Sequence, residues 1–381
     1  MFAFYFLTAC TTLKGVFGVS PSYNGLGLTP QMGWDSWNTF ACDVSEQLLL
    51  DTADRISDLG LKDMGYNTPV LGTLGLWGVR KKMLNSFANN RVDYLKYDNC
   101  YNKGQFGTPD VSYHRYKAMS DALNKTGRPI FYSLCNWGQD LTFYWGSGIA
   151  NSWRMSGDIT AEFTRPDSRC PCDGDEYDCK YAGFHCSIMN ILNKAAPMGQ
   201  NAGVGGWNDL DNLEVGVVKP LSSQLIKIQK GIPATRVWRY YVSDTDEYGQ
   251  GEIQMWSGPL DNGDQVVALL NGGSVARPMN TTLEEIFFDS NLGSKELTST
   301  WDIYDLWANR VDNSTASAIL EQNKAATGIL YNATEQSYKD GLSKNDTRLF
   351  GQKIGSLSPN AILNTTVPAH GIAFYRLRPS A

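Results

Sequence analysis

Between residues 31 and 209, strand-like runs take turns with helix-like ones, and no other property of the chain constrains the fold as tightly. Residues 31–37 (Gln-Met-Gly-Trp-Asp-Ser-Trp) read as a buried strand. A helix follows, with Asp43 and Ser45 as caps, Leu48, Leu49, Ala53, Ile56 and Leu59 in one stripe, and Gly60 as its stop. Residues 92–97 are strand-like. Pro109 and Asp110 then open a helix with Tyr113, Tyr116, Met119 and Leu123 inward, ending near Gly127. Strands at 130–135 and 152–157, a helix near 187–196 and the run Gly205-Gly206-Trp207-Asn208-Asp209 continue the series. Strands separated by helices pair in parallel, because the crossover brings the chain back to the same starting edge.

The rhythm changes near Gly231. Short alternating runs at 235–241, 252–256 and 265–270 follow, with Asp261-Asn262-Gly263-Asp264 as a hairpin turn, and the chain closes on 371–377. The expected organisation is a secretory leader at 1–18, an incomplete parallel (β/α)8-type barrel domain at 19–230 with aberrant segments at 67–86 and 217–230, and a C-terminal antiparallel β-sandwich domain at 231–381.

The leader rests on the apolar run Met1–Cys10 followed by Val16-Phe17-Gly18. Six N-x-[ST] sequons, at Asn124, Asn280, Asn313, Asn332, Asn345 and Asn364, also point to a secreted glycoprotein. Cys170, Cys172, Cys179 and Cys186 crowd one short segment, and thiols in an oxidising compartment pair. Nested bridges, Cys170–Cys186 around Cys172–Cys179, are one of three connectivities. The acids Asp173, Asp175, Glu176 and Asp178 miss the EF-hand spacing, and no metal or cofactor is expected.

Composition excludes several classes. A net charge of −6 without a basic run argues against nucleic acid or an anionic membrane as partner. Beyond the N-terminus no apolar stretch is long enough to span a bilayer. The three His, at 114, 185 and 370, form no i, i+4 pair, and neither a G-x-S-x-G elbow nor a P-loop occurs. Homo-oligomerisation is left open.

The chemistry lies in two aspartates. Asp98 closes the run 92–98 and Asp158 closes 152–158. In a parallel barrel, active sites gather at the C-terminal strand ends. A facing pair of carboxylates there is the equipment for splitting a glycosidic bond. One strand-end aspartate is as readily half of a structural ion pair. Two of them, beside Trp-rich strand ends in a chain with 11 Trp and 19 Tyr to stack on sugar faces, carry the functional reading. Lys96 lies two residues before Asp98 and points to the same side of its strand. Its charge is expected to lower the Asp98 pKa, as suits a nucleophile. Asp158 is expected to be protonated and to donate to the leaving oxygen. Arg154, four residues before it, is placed for a sugar hydroxyl.

Four blocks carry a resemblance: Met32-Gly33-Trp34-Asp35-Ser36-Trp37-Asn38, Tyr94-Leu95-Lys96-Tyr97-Asp98-Asn99-Cys100, Arg154-Met155-Ser156-Gly157-Asp158 and Gly206-Trp207-Asn208-Asp209-Leu210-Asp211. Together they resemble the melibiase family of retaining α-galactosidases, glycoside hydrolase family 27. The resemblance implies a (β/α)8 barrel followed by an antiparallel β domain. It also implies a terminal α-galactoside such as melibiose as substrate, and a covalent galactosyl-enzyme. By motif, Asp98 takes the place of the nucleophile and Asp158 that of the acid/base. Lys96 and Arg154 take those of sugar-binding residues, and Trp37 that of an aromatic wall. Asp211, Trp137 and Gln200 fall on further site positions. For a retaining pair the carboxyls should stand about 5–5.5 Å apart.

The chain departs from that family in two places. The family's second strand ends in paired aspartates that hold the galactose 4- and 6-hydroxyls. Here Gly65-Tyr66 leads instead into 67–86, a segment without Asp or Glu. The last barrel block is likewise replaced by 217–230, which also lacks acids. Three of the family's strands therefore have no match, and Pro69–Val79 and Leu221–Ile228 are the apolar runs available to replace them. The resemblance also implies that Cys42 and Cys100 each lose a disulfide partner, which leaves them orphaned unless they pair with each other. An internally deleted, catalytically inactive family member is the alternative expectation.

Overall fold

A computed structural model describes residues 24–35, 40, 45–58, 68–70, 93–100, 102–159, 163, 185–211, 238–245, 251–260, 263–288, 293–307 and 351–380. The leader, Cys42, Cys170, Cys172, Cys179, Asn313, Asn332, Asn345, Trp37 and the segment 217–230 lie outside the described residues.

The first half is a parallel α/β arrangement. Strands β3 (Tyr94–Asp98), β4 (Phe131–Cys135), β5 (Ser152–Arg154) and β8 (Trp207–Asp209) form one sheet in that order. All of its pairings are parallel. Strand β1 (Gly33–Asp35) pairs in parallel with β2 (Thr68–Val70), and β6 (Asp158–Ile159) with β7 (His185–Cys186). Strand β2 comes from the acid-free segment, so part of the expected replacement run does form a strand. Among the described residues the parallel strands make an open arc rather than a closed barrel.

Helix α1 (Glu46–Asp58) is capped by Ser45, whose Oγ accepts from Leu48 N at 3.1 Å. Its stripe differs from expectation at Ala53, which faces solvent, while Leu48 and Ile56 are half-buried. Helix α2 (Pro109–Asn124) starts where the sequence placed it. Thr108 caps it, Pro109 fills a position whose N–H needs no partner, and Asp110 meets the positive end of the dipole. Tyr116, Met119 and Leu123 pack on Leu95, Tyr97, Tyr132 and Trp153 of the sheet. Helix α3 (Ile188–Ala195) opens with a Ser187–Asn190 capping box.

A strap at 24–27 crosses the N-terminal ends of three sheet strands. Asn24 Nδ2 donates to Ile130 O at 3.1 Å, and Asn151 Nδ2 donates to Asn24 Oδ1 at 3.1 Å. Gly205 N and Trp207 Nε1 both donate to Gly27 O, at 2.8 and 2.7 Å.

The second half is antiparallel. Its six-stranded sheet runs β14 (Gln352–Leu357), β13 (Trp301–Asp305), β16 (Gly371–Pro379), β11 (Gln265–Asn271), β10 (Gly251–Pro259), β9 (Trp238–Thr245). Strands β12 (Arg277–Thr282) and β15 (Ile362–Val367) form a second, two-stranded layer. Met255, Val267, Leu269, Trp301, Leu363 and Leu377 are among the residues that fill the space between. The expected hairpin joins β10 to β11, with Pro259 opposite Gln265 and Gly263 at φ 76°.

Candidate active site

Parallel pairing puts the same end of every strand on the same side, and the register says which residues share it. Asp98 stands opposite Cys135, Lys96 opposite Ser133, and Arg154 opposite Asp209. The C-terminal ends of β3, β4, β5 and β8 therefore bring together one lysine, one arginine, one thiol and two carboxylates.

The strand expected at 152–157 stops at Arg154. Met155-Ser156-Gly157 turns, and Asp158 opens β6 instead of closing β5. The cause is Arg154 itself: its Nη2 donates to Ser156 O at 3.2 Å, Gly157 O at 2.9 Å and Asp158 Oδ1 at 3.0 Å, folding the next turn around the guanidinium. The same nitrogen pairs with Asp211 Oδ2 at 2.7 Å. Asp211 Oδ2 also accepts from Ile159 N at 2.8 Å, so Asp158 is bracketed on both sides. Asp211 holds φ 81°, a left-handed conformation that aspartate tolerates better than most side chains. Arg154 was expected to serve a sugar hydroxyl; in the structure it clamps two carboxylates. The Asp158 side chain remains 37% exposed, whereas those of Arg154 and Asp211 are buried.

Asp98 is buried, and its titration runs against expectation. Burial raises its pKa, with Asp158 adding in the same direction. Donation from Asn99 N, the Lys96 charge and a hydrogen bond with Cys135 oppose this and do not overcome it. Lys96 acts in the direction foreseen, but desolvation outweighs it. Burial alone would lower the Lys96 pKa; Cys135, Asp209 and Asp211 around it leave it raised. Cys135, fully buried, has its thiol pushed well up by desolvation, so it is present as the neutral thiol, with Arg154 Nη1 at 3.8 Å from its sulfur.

Below Asp98 lies a layer of polar groups that the sequence reading passed over. Asn99 N donates to Asp98 Oδ1 at 2.9 Å. Its side chain donates to Gln139 Oε1 at 3.0 Å and accepts from Arg115 Nη2. Only the apolar stripe of α2 was read from its periodicity; Arg115 falls on the same inward face. Trp137 is half-buried in the turn after β4, at φ 57°. Gln200 is exposed on the 196–201 turn, and no contact with Asp98 or Asp158 occurs for it among the described residues. Cys100 is a free, exposed thiol, and Cys186 is disulfide-bonded. No group of three His, Cys, Asp or Glu side chains among the described residues could hold a metal.

Comparison with known proteins decides the family. Alpha-galactosidase 5 of Saccharomyces cerevisiae is 77% identical over 471 aligned positions, with all of both chains covered. The chain belongs to the melibiase family of α-galactosidases. The alpha galactosidase A family profile matches residues 70–236, and the alpha galactosidase C-terminal beta sandwich domain matches 250–330. The α-galactosidase of Saccharomyces paradoxus is 61% identical, again over the whole of both chains. Among solved structures, an α-galactosidase from Saccharomyces cerevisiae superposes with a TM-score of 0.78 at 71% identity, covering 95% of this chain and 100% of that one. Alpha-galactosidase I from Mortierella vinacea gives 0.70 at 32% identity, covering 94% and 99%. The melibiase architecture, a βα barrel followed by a β-sandwich, is therefore the fold class of this chain. The yeast alignment spans 471 positions where this chain has 381 residues, so stretches of the relative have no counterpart here.

Proposed function

We propose that the chain hydrolyses terminal, non-reducing α-D-galactose from galactosides such as melibiose by a retaining double displacement. The observation that carries this is a buried Asp98 at a strand end with Asp158 within its electrostatic reach. Asp98 attacks the anomeric carbon. Asp158, more exposed and bracketed by Arg154 and Asp211, protonates the leaving oxygen and then takes a proton from the water that releases galactose. Lys96 holds a fixed positive charge beside Asp98, and Trp137 offers a ring at the rim. The alternative expectation, an inactive remnant, has no observation of its own in its favour, since Lys96, Asp98 and Arg154 gather at the strand ends and Arg154 holds Asp158, at the start of β6, beside them.

Secretion belongs to the same reading. It is supported by the leader and by Asn124, Asn280 and Asn364, which are all exposed. Asn280 and Asn364 face each other across β12 and β15, where glycans would stand clear of the core. No helix among the described residues is long and apolar enough to cross a membrane. The domain boundary is placed near residue 230.

The test is turnover of a chromogenic α-galactoside by the purified chain beside Asp98→Asn. The wild type should release the chromophore and the variant should be slower by at least about a thousandfold, as expected when a nucleophile is removed. Equal rates in both would refute the assignment.

A further inference from the structure

The geometry points to Arg115, acting through Asn99, as a positioning residue for the Asp98 carboxylate. This rests on Asp98 being the nucleophile. Asp98 is the last residue of β3, so the sheet's hydrogen bonds stop there and the ladder does not fix the carboxylate's orientation. Besides the Cys135 side chain, what orients it is the Asn99 N–H, which donates to Asp98 Oδ1 at 2.9 Å. That N–H is aimed by the peptide of Asn99, and three separate segments hold this residue. Gln139, in the turn after β4, accepts from its amide at 3.0 Å. Arg115, from α2, donates to its amide oxygen. Asn102 donates to its carbonyl at 3.1 Å.

Asn99, Arg115 and Gln139 are all buried. The contact from Arg115 is the charge-assisted member of the set and therefore the strongest class of bond. Its setting is costly for a structural group. Its Nε lacks a hydrogen-bond partner, and no carboxylate among the described residues pairs with it. The guanidinium carbon lies 4.3 Å from the centre of the Tyr116 ring. A buried cation used on a neutral amide contributes less to stability than an apolar side chain of the same volume. It does fix the direction of one N–H under a reacting carboxylate, which an apolar side chain cannot do.

The experiment compares full-length wild type, Arg115→Met, Arg115→Lys and Asn99→Ser on the chromogenic substrate, with rates normalised to folded protein by circular dichroism. Arg115→Met should lower kcat about tenfold at unchanged KM and move the acid limb of the kcat–pH profile upward. Arg115→Lys, which keeps a cationic donor, should recover most of the loss, and Asn99→Ser should resemble Arg115→Met. A purely structural role would reduce the folded fraction while leaving kcat per folded molecule and the pH profile unchanged, and that result overturns the proposal. An inactive wild type would count against the hydrolase reading alone. The clamp is then read from the Asp98 carboxyl resonance by NMR, whose midpoint should rise in Arg115→Met and Asn99→Ser and stay near that of the wild type in Arg115→Lys; an unmoved midpoint in Arg115→Met and Asn99→Ser overturns the clamp.

Discussion

At the scale of single residues, the site depends on how tightly neighbouring turns approach one another. The turn after β4 carries four consecutive or near-consecutive left-handed residues: Trp137, Gly138, Asp140 and Leu141. Gly138 is the one that must lack a side chain. It sits at φ 76°, and a Cβ there would lie 2.0 Å from the Met155 carbonyl oxygen. Met155 opens the turn that delivers Asp158, so the two active-site loops meet at this glycine. Gly138→Ala should destabilise the fold by about 2 kcal/mol or more, through left-handed strain and displacement of backbone together. It should also reduce kcat well beyond the loss of folded protein; thermal melts beside initial rates check both. Much of this scale was legible in the sequence. Asp98 and Lys96 could be placed because strand periodicity fixes which side chains share an end, whereas Asp158, expected to close its strand, opens β6. The role of Arg154 could not be read, because its partner Asp211 lies far along the chain and only the pairing of β5 with β8 brings the two together. The Asp98 titration was misjudged for a related reason: a sequence shows the neighbouring charge but not the depth of burial.

At the scale of elements, helix α2 was the easiest to foresee, since Thr108-Pro109-Asp110 states its start in local chemistry. Strand β5 was harder, because its end is decided by side-chain hydrogen bonds from Arg154 and not by propensity. The 24–27 strap gave no periodic signal at all. Asn24 nevertheless donates to Ile130 O, exchanges hydrogen bonds with the Asn151 amide and accepts from Leu26 N at 3.2 Å. Asn24→Ala should cost roughly 1–3 kcal/mol by leaving those groups unpaired, measured as a lower midpoint of urea unfolding, with kcat per folded molecule unchanged. In the sandwich, Asp302 on β13 binds Lys353 Nζ at 2.5 Å and the Ser356 and Ser380 hydroxyls at 2.8 Å each. These contacts, Lys353 first, hold its pKa at about 2 against an ordinary 3.8. A depressed carboxylate stabilises the fold fully above the ordinary value and progressively less as pH falls toward the depressed one. Asp302→Asn should therefore lower stability at pH 5 and leave it almost unchanged near pH 2. Because the cluster is at the surface, salt should weaken the effect. Acid-unfolding curves of the two proteins, at low and high ionic strength, check this.

At the scale of the whole molecule, the division into a parallel and an antiparallel half was visible from the change of rhythm near Gly231. An incomplete barrel was also legible, from the family strands that find no match in the sequence, and among the described residues the parallel strands form no closed barrel. Among the described residues, the contacts between the halves include Gln254 Nε2 donating to Asn193 Oδ1 at 2.9 Å and the rings of Phe163 and His370 stacked at 4.7 Å. The strap has a further consequence, which concerns the order in which the chain is made. Its carbonyl at Gly27 waits for Trp207, 180 positions later. On a ribosome the 24–27 strap is therefore held without these partners until the β8 strand has emerged, and the parallel sheet is completed only then. Strands β3, β4 and β5 are complete by residue 154, whereas the edge of β5 that β8 covers stays open until residue 209, an interval in which it can pair with another chain instead.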